Sequence, residues 1–256
     1  MNNQLGFVQV EVTTRCNFRC GFCAGRHLPQ RDMALDVFQR FLQSASDLGY
    51  IHLQGEGEPL VHPGFFDMVQ AAKAARPAVR ISMTTNGSLL ARHAERIVEA
   101  GLDRVCLSIE STDPAVFHEI RGARLEQVLD GANALLAARK ARRSERPTVG
   151  FAVTVLRKTV KELPAIAALY ETLGMDGGIE VQPLQQMPTY TRIYAPEMAA
   201  QLLSHADHLE LERTVAEDRT TIAVLRAPMK GTSIGREFFA RWTPAWGTCP
   251  WFEKGL

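Results

Sequence analysis

The sequence lacks an excess of charge of either sign. Its 256 residues include 29 Lys and Arg against 28 Asp and Glu, which gives a formal net charge of +1 with histidine neutral. Proteins that bind duplex DNA or acidic membranes usually present a large basic surface. The near-balance excludes a large surface of one sign, and we expect neither duplex nucleic acid nor a membrane among the partners.

Long apolar runs are also missing. No stretch approaches the roughly 18–20 consecutive apolar residues of a membrane span. Residues 1–16 lack the charged region, the apolar region and the cleavage site of a secretory signal. Hydrophobic residues nevertheless make up 46% of the chain, which is enough to fill a core. We therefore expect a soluble, cytoplasmic protein.

Cysteine is scarce and unevenly distributed. Of 5 cysteines, Cys16, Cys20 and Cys23 lie close together, whereas Cys106 and Cys249 stand alone. An odd number with a tight triplet does not suit a disulfide framework. The triplet predicts metal or redox chemistry, and Cys106, inside an apolar strand, is expected to be a small buried core residue.

Strand-like and helix-like segments alternate along the chain. Apolar, β-branched runs predict strands at 7–12, 51–54, 80–84, 104–109, 149–156 and 178–183. Segments of helical periodicity predict helices at 35–48, 64–75, 91–100, 125–143 and 160–173. This alternation is typical of an α/β fold with a parallel sheet, either doubly wound or a six-unit partial barrel. The alternation of strands and helices weakens after about residue 187, so we expect a core domain at 1–187 and an extension at 188–256. Within the extension, residues 196–216 predict one amphipathic helix.

Polar and glycine-rich residues follow the first four predicted strands. The cysteine triplet follows the first strand, and residues 55–59, 85–87 and 110–112 follow the next three. Because the carboxyl ends of parallel strands meet at one edge, we expect these segments to form a single site there.

The triplet has the spacing C-x3-C-x2-C, which allows two kinds of metal site. Three thiolates from one loop can hold three corners of a cubane iron–sulfur cluster and leave one iron open. Alternatively, His27 could complete a structural zinc site, which would make the protein a zinc-stapled βα binding protein. Structural zinc usually stabilises domains with small cores, and this chain can form a large one. The position of the triplet after the first strand further favours a catalytic cluster.

Residues 16–23, with the sequence CNFRCGFC, resemble the C-x3-C-x-aromatic-C signature of the radical S-adenosylmethionine (radical SAM) enzymes. The resemblance implies a partial (β/α)6 barrel of parallel strands with a short C-terminal extension. It also implies that Cys16, Cys20 and Cys23 bind a [4Fe–4S] cluster whose open iron binds S-adenosylmethionine. An electron from the cluster, supplied by a donor such as flavodoxin or ferredoxin, would cleave S-adenosylmethionine to methionine and a 5′-deoxyadenosyl radical. That radical abstracts hydrogen from the substrate.

A second resemblance concerns residues 55–60, with the sequence GEGEPL. They resemble the GGEP motif of the same family, which contacts the amino group of S-adenosylmethionine. Gly57 and Glu58 occupy matching positions, and Glu56 replaces the first glycine of the motif. The role of the Glu56 side chain is left open by this departure.

Four more residues are assigned to the cofactor by the resemblance. Asn86 lies in a stretch similar to the TNG motif, a frequent wall of the cofactor pocket. Ser108 and Glu110 alternate on one strand and so share a face, where relatives bind the ribose hydroxyls. Arg121 lies in a stretch similar to an I-R-G stretch whose arginine often reaches the cofactor carboxylate. No residue is singled out as a substrate base.

The end of the sequence bears on the substrate. Residues 248–251 resemble the opening of the auxiliary SPASM extension found in peptide-modifying members of the family, with Cys249 as its first cysteine. This resemblance implies a peptide or protein substrate. A dehydrogenase or epimerase acting on a small molecule is the alternative.

Overall fold

A single parallel sheet organises the protein. The computed structural model describes residues 6–45 and 48–217. Its six strands are β1 Phe7–Val10, β2 Tyr50–Leu53, β3 Arg80–Thr85, β4 Arg104–Ser108, β5 Thr148–Val155 and β6 Ile179–Pro183. They pair in the order β1-β2-β3-β4-β5-β6, with β1 and β6 as the two edges. A doubly wound sheet reverses its strand order at a switch point, so this sequential order identifies the partial barrel and confirms the expected fold class.

Helices connect the strands. Those before β6 are α1 Leu35–Ser44, α2 Phe65–Ala75, α3 Leu90–Glu99, α4 Pro114–Arg121, α5 Leu125–Ala141 and α6 Leu163–Thr172. Those after it are α7 Pro188–Thr191, α8 Pro196–Ala199 and α9 His205–Glu217. The helix α4 was not predicted from the sequence. Asp113 caps its N-terminus, because the Asp113 carboxylate accepts hydrogen bonds from the backbone N–H groups of Ala115 at 2.7 Å and Val116 at 3.1 Å.

The single helix predicted at 196–216 is wrong, because the structure divides this segment into α8 and α9. The interruption has a local cause at Ser204. Its backbone N–H donates to Asp207 Oδ2 at 2.7 Å, and its hydroxyl oxygen accepts from the Asp207 N–H at 3.3 Å. This reciprocal pair is a capping box, which starts a new helix at His205.

The core lies between the sheet and the helices. Leu53 pairs with Met83, Met83 with Val105, and Val105 with Val149, and all four side chains are buried. Because strand residues alternate between faces, the residues between them point to the inner side of the half-barrel. The sheet thus has an apolar outer face packed on helices and a separate inner face.

In the ranges 6–45 and 48–217, no helix is both long and apolar enough to cross a membrane. The prediction of a peptide substrate depends on Cys249, which lies outside the described residues.

Candidate functional site

The three clustered cysteines lie on a loop between β1 and α1 that is closed at its base. Thr13 Oγ1 donates to Asp32 Oδ1 at 2.6 Å, and the Thr14 N–H donates to the Arg31 carbonyl at 3.0 Å. These bonds join the two ends of the loop. They hold the cysteines at the carboxyl end of β1, at the edge where the sequence predicted them.

Gly57 lets the segment after β2 lie directly against this cysteine loop. A Cβ atom at Gly57 would stand 2.1 Å from the Thr13 carbonyl oxygen and 2.8 Å from that of Arg15. The next residue fixes the contact, because the Glu58 N–H donates to the Arg15 carbonyl at 2.8 Å. The sequence placed Gly57 in contact with the cofactor. That contact stays a prediction, and the structure shows a close approach of two backbones.

Cys16 is accompanied by amide groups. Asn86 Nδ2 lies 3.8 Å from Cys16 Sγ and donates to Asn17 Oδ1 at 2.9 Å. The Phe18 N–H lies 3.4 Å from the same sulfur. Asn86 therefore borders the first cysteine from the end of β3, and its contact with the cofactor stays a prediction.

Cys20 lies beside a buried ion pair. Arg121 Nη1 is 3.6 Å from Cys20 Sγ, and Arg121 Nε donates to Glu110 Oε2 at 2.5 Å, while Nη2 donates to Oε1. The ring of Phe22, the aromatic residue of the cysteine motif, lies 5.3 Å from the Arg121 Cζ atom. This distance allows a cation–π contact. The second cysteine thus faces a cation that is fixed on two sides.

Glu110 and Arg121, which form this pair, and Ser108 were all assigned to the cofactor. Both carboxylate oxygens of Glu110 accept from Arg121, and Glu110 is fully buried. Ser108 lies half-buried as the last residue of β4, and Glu110 lies beyond the strand, so the shared strand face predicted for these two residues is wrong. Contacts of Ser108 and Glu110 with ribose, and of Arg121 with a carboxylate, stay predictions. What the structure shows is that Glu110 positions Arg121 against Cys20.

Cys23 differs from the other two because it faces a carboxylate. Glu56 Oε2 lies 3.2 Å from Cys23 Sγ and accepts from the N–H groups of Ala24 at 2.9 Å and Gly25 at 3.1 Å. The hydroxyl of Tyr190, from α7, donates to Glu56 Oε1. The sequence alone left the role of Glu56 open. The one signal available there was that Glu56 replaces the first glycine of the motif.

Glu58 points inward and not toward the cysteines. Its Oε1 atom accepts from Leu60 N at 3.1 Å and Thr85 Oγ1 at 2.7 Å, and its Oε2 atom accepts from Asn86 N at 2.6 Å. Burial raises the pKa of this carboxyl group. Glu58 therefore ties the end of β3 to the segment after β2. Its contact with the amino group of the cofactor stays a prediction.

The protonation of the thiols bears on what the cysteines can hold. Burial raises the pKa of Cys20 and raises that of Cys23 to about 12, with the Glu56 carboxylate as the second cause at Cys23. Free thiols of this kind are protonated and weakly nucleophilic at neutral pH. They become strong ligands once a metal displaces the proton, so the chemistry of the three sulfurs suits a thiolate-bound cluster.

The zinc alternative has less structural support. In the part of the chain that the structure describes, no three His, Cys, Asp or Glu side chains gather closely enough to hold one metal ion. His27, the proposed fourth zinc ligand, is exposed. A four-iron cluster holds its thiolates further apart than a single zinc ion does, so a loop of three spaced cysteines fits the cluster better.

The inner face of the half-barrel carries neutral polar groups toward the carboxyl ends of the strands and the Arg104–Glu180 ion pair toward their amino ends. His52 Nε2 lies 2.6 Å from Gln54 Oε1 and 3.1 Å from Thr84 Oγ1. Across the sheet, Gln182 Nε2 donates to Thr154 Oγ1 at 3.4 Å. Gln54 and Thr84 are half-buried, and Gln182 is exposed. These amides and hydroxyls offer hydrogen bonds to a polar molecule at the carboxyl ends of the strands.

Comparisons with known proteins identify the family. The model of the radical SAM superfamily matches residues 10–170. A GTP 3′,8-cyclase of Hydrogenovibrio crunogenus is 31% identical over 246 residues, covering 91% of this chain and 67% of the relative. A cofactor-modifying protein for tungsten-containing aldehyde ferredoxin oxidoreductase, from Pyrococcus furiosus, is 33% identical, covering 66% of this chain and 49% of the relative. The chain thus spans about half to two thirds of the length of these relatives.

Solved structures share the fold. Streptococcus suis SuiB, bound to the precursor peptide SuiA, aligns with a TM-score of 0.67 at 16% identity, covering 83% of this chain and 45% of SuiB. The FeFe-hydrogenase maturase HydG of Carboxydothermus hydrogenoformans aligns with a TM-score of 0.63 at 16% identity, covering 88% of this chain and 52% of HydG. At this level of identity the likeness establishes the half-barrel and nothing about the substrate.

Proposed function

Because the chain belongs to the radical SAM superfamily, and is thus an enzyme that uses a [4Fe–4S] cluster and S-adenosylmethionine, we propose that it acts on a small polar molecule. The observation that carries this proposal is the set of neutral polar groups at the carboxyl ends of the strands on the inner face, the same edge of the sheet that carries the cysteine loop. Cys16, Cys20 and Cys23 would hold the cluster. When bound, the cluster and S-adenosylmethionine supply the one-electron chemistry that removes a hydrogen atom from a substrate carbon.

The chain's own residues prepare this site in advance. Asn86 and the Arg121–Glu110 pair fix polar groups against Cys16 and Cys20. Fixed groups of this kind need no rearrangement when ligands bind, which favours a defined geometry at the metal.

The substrate class follows from the inner face and from the relatives. His52, Gln54, Thr84, Thr154 and Gln182 donate and accept hydrogen bonds without presenting a large charge. Such groups suit hydroxyl, carbonyl or ring-nitrogen atoms of a small molecule. Several relatives, between 31% and 38% identical, are GTP 3′,8-cyclases, and this supports a small-molecule substrate, with GTP as the first compound to test.

A peptide substrate has weaker support. The residue that favoured it, Cys249, lies outside the described part of the chain. The likeness to SuiB with its bound precursor peptide is at 16% identity, which carries the fold alone. A peptide is therefore kept as an outcome of the experiment.

An external reductant is part of the proposal, because the cluster chemistry consumes one electron for each S-adenosylmethionine cleaved. We expect a one-electron donor protein of the flavodoxin or ferredoxin type, and dithionite can replace it in the test tube.

The test is an anaerobic assay of the full chain with reconstituted cluster, dithionite and S-adenosylmethionine. We expect 5′-deoxyadenosine and methionine to form, and a substrate to increase their yield. GTP, other nucleotides and a peptide panel are compared, and a deuterated substrate reports hydrogen transfer into 5′-deoxyadenosine.

Two cysteine variants make this assay decisive. Cys20→Ala should stop the cleavage, whereas Cys106→Ala, which changes a buried strand residue away from the loop, should retain it. Equal cleavage by the Cys20→Ala protein would contradict the cluster assignment. Stimulation by peptides but by no small molecule would contradict the substrate class.

A further inference from the structure

Glu56 places a negative charge where the family motif has a glycine without a side chain. Its Oε2 atom lies 3.2 Å from Cys23 Sγ and accepts from Gly25 N at 3.1 Å. The Gly25 N–H also lies 3.3 Å from the Cys23 sulfur. The carboxylate and the sulfur therefore compete for one backbone donor.

The other two cysteines have partners of a different kind. The Asn86 amide lies near Cys16, and the Arg121 cation lies near Cys20. An N–H donor or a cation stabilises added negative charge on a sulfur ligand, whereas a carboxylate opposes it. Among the described contacts of the three sulfurs, that of Cys23 with Glu56 is the one with a carboxylate.

The reduction potential of an iron–sulfur cluster depends on the charge around it and on hydrogen bonds to its sulfurs. Reduction adds one negative charge. A carboxylate next to one sulfur disfavours that charge, and it also draws a backbone N–H away from the sulfur. Both effects of Glu56 lower the potential.

Tyr190 moderates the charge of Glu56. Its hydroxyl donates to Glu56 Oε1, the oxygen that does not face Cys23. Burial, and next the Glu56 carboxylate, raise the pKa of Tyr190, so the phenol stays a proton donor at neutral pH. A donor on a carboxylate stabilises its charge and weakens its field on neighbouring groups. The segment after the barrel therefore acts on the cysteine loop through Glu56.

We propose that Glu56 is a positioning residue that lowers the reduction potential of the cluster held by Cys16, Cys20 and Cys23, and that Tyr190 limits this effect. The inference rests on the proposed function, because it requires the cluster at these cysteines. It predicts opposite shifts for removal of the carboxylate and removal of the phenol hydroxyl.

The experiment is a redox titration of the reconstituted full chain, followed by the electron paramagnetic resonance signal of the reduced cluster without S-adenosylmethionine. Glu56→Gln removes the charge and keeps the shape of the side chain, so the midpoint potential should rise. Tyr190→Phe leaves the carboxylate without its donor, so the potential should fall. Glu56→Gly, which restores the residue of the family motif, should also raise the midpoint potential. It replaces Glu56→Gln in the titration if the Glu56→Gln protein binds little iron.

Matched controls separate this effect from general damage. Tyr194→Phe removes a hydroxyl that donates to the Gln185 carbonyl at 3.1 Å and not to Glu56. Glu126→Gln removes an exposed carboxylate of α5. Neither control should move the potential, and iron content should match the wild type in both.

The outcomes distinguish the inference from the proposed function. An unchanged or lowered midpoint potential in both Glu56 variants would overturn the tuning role, and so would a raised potential in Tyr190→Phe. In either case, dithionite-driven cleavage of S-adenosylmethionine would still support the proposed function. A wild-type protein that assembles no cluster would overturn both.

Discussion

Glu110 and Arg121 form a buried, two-point ion pair that holds the Arg121 guanidinium 3.6 Å from the sulfur of Cys20. Glu110 is fully buried and lies just after β4, whereas Arg121 ends α4. The pair therefore joins a strand end, a helix end and the cysteine loop. Removal of either partner leaves an isolated charge inside the protein.

The first prediction concerns this pair. Arg121→Met should lower the free energy of unfolding by about 3–5 kcal/mol, because the Glu110 carboxylate then stays buried without a partner. Urea denaturation of the cluster-free protein measures this change. The double variant Glu110→Leu with Arg121→Met should recover much of the lost stability. A single variant as stable as the wild type would show that the pair does not hold the site together.

The strands were predictable because their signal is local. Runs of β-branched and apolar residues place β1 to β6 within a few residues of where the structure has them. The break between α8 and α9 depends on one capping interaction at Ser204, which a helical periodicity over 196–216 conceals. The sequential strand order also could not be read from periodicity, since a doubly wound sheet and a partial barrel have the same alternation of strands and helices along the chain.

The candidate site was predictable in its position but not in its pairing. The motifs placed the cysteines, Glu58 and Asn86 at one edge of the sheet, where the structure has them. The contact between Glu56 and Cys23 joins residues 33 positions apart, and that between Arg121 and Cys20 joins residues 101 apart. Such contacts depend on how loops pack in three dimensions, and a single sequence carries no direct signal of that packing.

The second prediction concerns Gly57. Gly57→Ala puts a Cβ atom 2.1 Å from the Thr13 carbonyl, so the cysteine loop and the segment after β2 must separate. We expect a loss of about 1–3 kcal/mol in unfolding free energy and a lower iron content after reconstitution. Gly6→Ala is the matched control, because its Cβ atom meets nothing within 4 Å. Full iron loading in Gly57→Ala would show that the close approach is not needed.

The third prediction concerns pH and Cys106. Burial raises the pKa of this thiol from 9.0 to about 12. Between these values the unfolded chain loses a proton that the folded chain keeps, so deprotonation favours unfolding. The contribution is complete below about pH 9 and is lost as the pH rises toward 12.

The comparison that checks this is the unfolding free energy of wild type and Cys106→Ala from pH 8 to 11. We expect the wild type to lose stability more steeply above pH 9, because only Cys106 differs between the two proteins. Parallel profiles would mean that the thiol ionises equally in the folded and unfolded states.

The last prediction concerns Glu58, whose carboxylate is the sole acceptor for the Asn86 backbone N–H in the described contacts. In Glu58→Gln one oxygen becomes an NH2 group, which cannot accept from a backbone N–H, so either the Asn86 N–H or the Leu60 N–H loses its acceptor. The buried N–H left without a partner should cost about 1–3 kcal/mol and loosen the joint that holds Asn86 beside Cys16. Because the three cysteines are unchanged, we expect full iron content together with weaker S-adenosylmethionine binding, measured by calorimetry on the reconstituted protein. Glu145→Gln, at an exposed position, should leave both quantities unchanged. Loss of the cluster in Glu58→Gln would place this carboxylate in the support of the cysteine loop and not in the cofactor pocket.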